Sequence, residues 1–274
     1  MRCIDFDRHF AEYTSKWMNE HSREYKTLEA MEGDMPGVYL QFLNTPAAWL
    51  DGAMPGTFFN SFHDAAELVA WMREYCVKRV PVPDPLQERI LSLGDAAEGE
   101  LLSLVQDASA PAEARMTAIG LLREMDSVAP KALYIAWQAS RRQKDELCDN
   151  ALESLAAMGR HAVPDMLAAL SKCNQAGQEA LLDVLTAYPG HEQVFELTVK
   201  LFESEKRRRA LFAGYLGRLG DERALPALLK AAGEQNLPYL DYIEIRNAIE
   251  RLGGELPDRE FHDDPGYDAL LKMQ

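Results

Sequence analysis

From Leu86 onward the apolar positions follow a rhythm of helix, short turn, helix, and the rhythm itself repeats. Taking the large apolar residue that ends one helix just before a turn as the anchor, the copies stand at Leu93, Met125, Met158, Pro189, Leu219 and Leu252, in steps of 32, 33, 31, 30 and 33 residues. A fixed period in the low thirties is the signature of a helical solenoid, because one helix pair cannot bury its apolar side alone and needs stacked neighbours. The first helix of each pair is expected over 112–125, 145–158, 207–219 and 242–252. The second begins near Pro130, Pro164 and Pro226, where a first-turn N–H has no partner to lose. Asp95, Asp126 and Asp221, just past their anchors, are expected to cap these second helices. The fourth copy, Tyr188-Pro189-Gly190-His191-Glu192, lacks the helix-starting proline, so its turn is expected to differ.

Residues 1–84 do not carry the period. Asp5 is placed to cap a helix whose Phe6, Phe10, Tyr13 and Trp17 form one aromatic stripe. A second helix is expected within 28–43, broken near Met35-Pro36-Gly37 because proline disfavours a continuous helix, with Tyr39, Phe42 and Leu43 facing inward. Residues 44–59 combine turn formers with Trp49, Phe58 and Phe59, which reads as a loop with hydrophobic anchors. A third helix over 64–78 gathers Leu68, Trp71, Met72 and Tyr75. The run Val80-Pro81-Val82-Pro83-Asp84-Pro85 stops it with a stiff connector. The division expected is therefore an aromatic-rich helical segment, 1–84, packed on the first repeat of a solenoid, 85–274. The solenoid ends in a capping helix within Asp264 to Met273, since terminal units must meet water on one face.

The phrase Leu219-Gly220-Asp221-Glu222-Arg223-Ala224-Leu225-Pro226-Ala227-Leu228-Leu229, with Met158-Gly159-Arg160-His161-Ala162-Val163-Pro164-Asp165-Met166-Leu167, resembles the HEAT-like repeat of the phycobilisome-lyase type. The resemblance covers residues 86–256, and the whole chain is similar to uncharacterised bacterial HEAT-repeat proteins. It implies an all-α fold: a HEAT-like alpha-alpha superhelix of about five helical-hairpin repeats, with an N-terminal helical segment and a C-terminal capping helix. It also implies that Arg115 and Arg209, ten residues before their anchors, tie one repeat to the next through an acidic residue. It does not imply one activity, because such repeats occur in chromophore lyases, DNA glycosylases and proteins that only bind others.

Charge narrows the partners. Forty-four acidic residues against 29 basic ones give a formal charge of −15, and such a chain is repelled by nucleic acid phosphate and by anionic lipid, whose recognition leaves a basic footprint. The N-terminus has no apolar leader and no window approaches eighteen apolar residues, so a cytoplasmic location is expected. The four cysteines, Cys3, Cys76, Cys148 and Cys173, form no C-x-x-C pair and have no histidine at metal-ligand spacing. They are expected to be reduced packing residues. Neither a metal nor a cofactor is expected.

Candidate chemistry is sparse. Lys131, Tyr134, Gln138 and Arg141 follow a three, four, three spacing on one helix face, with Trp137 beside them. If that helix lines the concave surface, these five residues are the binding patch; the alternative is that Tyr134 and Trp137 pack against neighbouring repeats or the N-terminal segment. The run Lys206-Arg207-Arg208-Arg209, and within it Arg207 and Arg208, suits a phosphate or an acidic peptide, or else is a solvated helix start offsetting Glu203 and Glu205. Arg141-Arg142-Gln143-Lys144 is a second basic group. No histidine lies in an H-E-x-x-H, and His262-Asp263-Asp264 reads as a turn. The function expected is a non-enzymatic scaffold that presents a protein- or peptide-binding face, and a monomer is compatible with it. The alternative is a HEAT-like enzyme, a DNA base glycosylase or a chromophore lyase, disfavoured by the acidic charge and the lack of a catalytic motif.

Overall fold

A computed structural model describes residues 2–142 and 144–257, together with Arg259, Phe261, Asp264 and Tyr267. Among the described residues the secondary structure is helical, with fifteen α-helices and several short 3-10 turns and no strand. The chain packs as two compact units, Met1–Pro130 and Lys131–Gln274.

In the first unit, Asp5 caps α1 (Phe6–His21) by accepting from the Arg8 amide, and the second expected helix is split into α2 (Leu28–Gly33) and α3 (Met35–Leu43). The split falls one residue before the Met35-Pro36 pair, as the proline requires. The 44–62 stretch is two 3-10 turns whose Leu50 and Phe59 are buried. Its aromatics close the core: Phe6 meets Trp49 at 5.0 Å and Phe59 at 5.8 Å, and Trp71 meets Phe59 and Phe62, each at 5.1 Å. Trp71 sits on α4 (Ala65–Lys78), capped by Asp64. The incoming chain is tied to the same helix, since the Trp71 indole donates to the Arg2 carbonyl and the Ile4 amide to the Tyr75 hydroxyl. Helix α4 also packs on α5 (Asp84–Ser92), α6 (Asp95–Gln106) and α7 (Ala112–Glu124), so the aromatic segment and the first repeats share one core.

The second unit is an alternating stack. Its helices are α8 (Lys131–Ala139), α9 (Glu146–Ala157), α10 (Val163–Leu170), α11 (Gln175–Leu185), α12 (Glu192–Ser204), α13 (Arg209–Leu219), α14 (Leu225–Ala232) and α15 (Tyr239–Arg251). Sequence neighbours pack as pairs, while α8 on α10, α9 on α11 and α13 on α15 link like helices of successive repeats. One layer is thus odd-numbered and the other even-numbered. Each layer hides the apolar stripe that a lone hairpin would leave in water, which is how repeat stacks gain their stability.

The period of the sequence is a backbone period. Left-handed residues occur at Gly94, Asp126, Gly159, Gly190, Gly220 and Gly253, each directly after one of the anchors, with φ between 53° and 97°. Reversal after a helix needs this conformation, and glycine adopts it without a Cβ penalty. The second helices then start as expected, with Pro164 and Pro226 in the first turns of α10 and α14 and Pro130 immediately before α8. The fourth turn does differ: α11 ends at Leu185, so Pro189 lies beyond the helix end, and α12 starts from His191 with no 3-10 turn before it.

Two of the three expected aspartate caps are corrected. Asp221 does accept from the Arg223 amide. Asp95, however, lies inside α6 after Gly94, and the structure shows no side-chain cap there. Asp126 occupies the left-handed position itself, the place a glycine fills in the other copies, and so performs the turn rather than the cap. The expected C-terminal capping helix lies outside the described residues apart from Asp264 and Tyr267. Asp264 accepts from the Tyr239 amide at 2.9 Å, and the Tyr267 ring lies 5.1 Å from that of Tyr239.

At Gly220, where an added Cβ would meet no atom within 4 Å, Gly220→Ala is expected to lower stability by about 1 kcal/mol through backbone strain alone. Asp126→Gly, at the same place in its repeat, is expected to cost nothing in the same urea titration.

Candidate functional site

A groove of about 450 Å³ crosses α9, α11 and α13 in the second unit. Its floor is apolar and low, made by Leu152 of α9, Ala176 and Ala180 of α11, and Leu211 of α13. The small side chains on the central helix open the space, and the leucines on either side bound it.

Around that floor stand ionic pairs. Arg141, in the connection between α8 and α9, donates one arm to the Asp149 carboxylate and another, at 2.9 Å, to the Gln138 side-chain oxygen. Arg208, in the 3-10 turn before α13, reaches Glu179 of α11 at 2.6 Å. Asp183 of α11 takes Arg218 of α13, whose guanidinium also donates to the Asp183 carbonyl at 2.7 Å. Burial, and then the nearby Asp183 carboxylate, push the Tyr215 phenol up, so it stays neutral at the groove wall. Arg141 and Glu179 are nearly covered, whereas Asp149 and Asp183 are each 53% exposed and Arg208 44%. The exposed edge thus carries both signs, Asp149 and Asp183 with Lys144 and Arg208.

The structure divides the expected patch on α8. Tyr134 and Gln138 have no solvent exposure and Arg141 very little. Tyr134 and Gln138 are therefore covered within the stack, and Arg141, though nearly covered, lines the groove. The three, four, three spacing places them on one face but does not say which way that face points. Helix α8 is surrounded by α9, α10 and α11, and this face is the one they cover. Tyr134 lies 5.7 Å from Trp137, one turn along the same helix. Gln138 donates to the Cys148 carbonyl at 2.8 Å, satisfying a backbone group and orienting its oxygen toward Arg141. Lys131 lies apart, bridging to Asp165 at 2.5 Å and to the His161 carbonyl on the next repeat.

The run at 206–209 is divided too. Arg207 is solvent-exposed, Arg208 enters the groove, and Arg209 is buried with its guanidinium on Glu234 at 2.7 Å and over the Phe202 ring at 5.6 Å. Arg209 thus does meet an acidic residue, but Glu234 lies at the end of the same helical hairpin, α13 and α14, and not in the next one. Arg115 donates its Nε to the Val105 carbonyl at 2.9 Å. Arg141 and Arg208, assigned in the sequence to separate basic groups, come together at one groove. Glu179, Asp149 and Asp183 carry no local motif and are found only through the stacking of three helices.

Nucleophile chemistry has little support near the groove. Burial, followed by a hydrogen bond to the Asp145 carboxylate, pushes the Cys148 thiol up to about 12, and burial raises Cys173 as well. All four cysteines are free thiols. Among the described residues no group of three histidine, cysteine or carboxylate side chains is placed to hold a metal ion, and no helix is long and apolar enough to cross a membrane.

The register of the groove is held by a close approach at its edge. Asn174 caps α11, donates its side-chain amide to the Arg141 carbonyl at 2.9 Å and its backbone amide to the Ala139 carbonyl at 2.9 Å. One turn on, Gly177 lies so near the end of α8 that a Cβ there would stand 2.0 Å from the Gln138 carbonyl oxygen. A second clasp lies outside the groove, where Arg223 forks onto Glu192 and Asp221 and stacks 4.3 Å from the Phe195 ring centre. Hydrogen bonds from Arg223 hold both carboxyls below their ordinary values.

Residues 207–234, which hold Arg208, α13 and α14, match the PBS lyase HEAT-like repeat. That stretch is a HEAT-like repeat, and the all-helical architecture agrees with it. No curated protein matches the chain.

Gly177→Ala is expected to destabilise the second unit by about 1–3 kcal/mol, since a backbone carbonyl must move to admit the methyl group; thermal unfolding of the variant measures it. Arg223→Ala is expected to raise the Glu192 and Asp221 titrations toward 4.5 and 3.8, read by carboxyl NMR. Because the folded values are depressed, the clasp contributes above the unfolded values and is lost as pH falls through the folded ones.

Proposed function

We propose that the protein is a non-enzymatic scaffold that binds a protein or peptide segment in the groove over α9, α11 and α13. The observation that carries this reading is the groove itself: a low floor of Leu152, Ala176, Ala180 and Leu211 open to solvent and edged by charge on three successive helices. An apolar side chain lowered onto the two alanines gains burial, at about 25 cal/mol per Å² removed from water. The charged edge supplies orientation and register.

The charge of the whole chain, more than that of the edge, selects the partner. At the edge Asp149 and Asp183 are exposed beside the exposed Lys144 and Arg208, whereas Arg141 is withdrawn into its bonds with Gln138 and Asp149. On a chain of formal charge −15, the outward field is negative. A segment with apolar residues between lysines or arginines matches both features, and an acidic ligand such as nucleic acid meets repulsion. In this reading the segment 1–84 caps the first repeat and takes no part in the groove.

Affinity capture from native lysate compares the protein with Ala176→Trp, which fills the floor, and Arg207→Ala, which removes an exposed charge away from it. Capture of a specific partner by the parent and Arg207→Ala, with loss in Ala176→Trp at unchanged far-UV circular dichroism, is the expected result. Full retention by Ala176→Trp removes the groove from the proposal. Duplex DNA binding of micromolar affinity at low salt, or tetrapyrrole absorbance that co-purifies with the protein, overturns the scaffold reading altogether.

A further inference from the structure

The aromatic segment holds a separate slot, entirely within the first unit. One face of α1 supplies Glu12, Tyr13 and Lys16, the 45–49 turn faces it with Trp49, and Phe42 and Pro55 form the base of a space of about 290 Å³. The rings are mutually braced. Tyr13 lies 5.6 Å from Phe42, Phe42 lies 6.2 Å from Trp49 at 20°, and His9 stacks on Trp49 at 4.1 Å and 4°. The walls are therefore flat, apolar and fixed before any ligand arrives, which lowers the ordering cost of binding.

Two hydrogen-bond donors in these walls are unused. The Trp71 indole is satisfied by the Arg2 carbonyl, and the Tyr39 and Tyr75 hydroxyls engage Asp84 and the Ile4 amide. The Trp49 indole N–H and the Tyr13 hydroxyl make no hydrogen bond among the described residues. A ligand that suits this slot offers flat apolar rings to the aromatics and carbonyl acceptors to the two donors, and asks for no acceptor in return. Proline in an extended chain has that description: a pyrrolidine ring, an unpaired carbonyl and no N–H. The polyproline II helix, with three residues per turn and no internal hydrogen bonds, presents these groups repeatedly at low entropic cost.

The rim adds a charge preference. Glu12 is 64% exposed, and Arg8 and His9 stand 3.6 Å from its carboxylate, beyond hydrogen-bond distance. Lys16 is directed to Glu20, 4.0 Å away on the next turn. With the chain at −15, a basic residue beside the prolines is complementary to Glu12. We propose that the slot between α1 and the 45–49 turn binds a proline-rich segment in the polyproline II conformation that carries a flanking arginine or lysine.

Fluorescence anisotropy of a labelled peptide of about ten residues, prolines with an arginine at each end, titrated with the full chain, tests this. Saturable binding is expected, together with weak or absent binding of a glycine-serine peptide with the same end charges. Tyr13→Phe keeps its ring and removes one donor, and Trp49→Phe keeps an aromatic face while removing the other, so each is expected to weaken binding by about fivefold. Glu12→Gln is expected to weaken the arginine-flanked peptide and leave a serine-flanked one unchanged. Absence of saturation, equal affinity for the glycine-serine peptide, or indifference to both donor substitutions overturns the proposal. So does saturable binding of tetramethylammonium or free phenylalanine where the proline peptide fails, which assigns the slot to a small cation or an amino acid.

Discussion

Everything in the repeats depends on one left-handed residue per copy. A helix can reverse and lie against its successor only if the chain turns sharply after the last helical residue, and the positive-φ positions at 94, 126, 159, 190, 220 and 253 make those turns. Placed about thirty-one residues apart, they set how much helix lies between reversals. Pro164 and Pro226 then begin the return helices without losing a backbone hydrogen bond. The apolar stripes of the second unit meet because those turns recur at a constant place.

Stacking also fixes what becomes of charge. In a surface helix an arginine costs little and contributes little. Here several arginines are drawn against neighbouring helices, and each ends on a fixed acceptor: Arg141 on Asp149 and Gln138, Arg208 on Glu179, Arg209 on Glu234. Leaving such a group buried and unpaired would be strongly destabilising, so the pairs fix how the helices sit against one another more than they add net stability. The same pairing leaves a groove whose inner charges are spent and whose exposed edge carries both signs.

The two candidate sites arise from different physics. The groove exists because α11 has alanines at 176 and 180 where its neighbours have leucines, so three stacked helices leave a trough. The slot beside α1 exists because Phe42, Trp49 and Tyr13 brace one another and leave flat faces with two free donors. One depends on periodic stacking and the other on an aperiodic aromatic cluster, which is why they occupy separate units.

The sequence by itself determined the architecture. Helix spacing, glycine or aspartate after each anchor, and prolines at helix starts are local constraints, and local chemistry is readable from neighbouring residues. It also located the break at Met35-Pro36 and marked Phe59 and Trp71 as apolar anchors, while their meeting in one core is a tertiary fact. It did not determine which face of α8 points inward, because a shared face is a matter of spacing whereas its direction depends on α9, α10 and α11. Tyr134 and Gln138 were therefore legible as a stripe and illegible as interior. Likewise, nothing between residues 141 and 208 in the chain announces that Arg141 and Arg208 share a groove with Glu179. That meeting was decided by tertiary structure alone, because stacking converts a separation of two repeats along the chain into a distance across one trough.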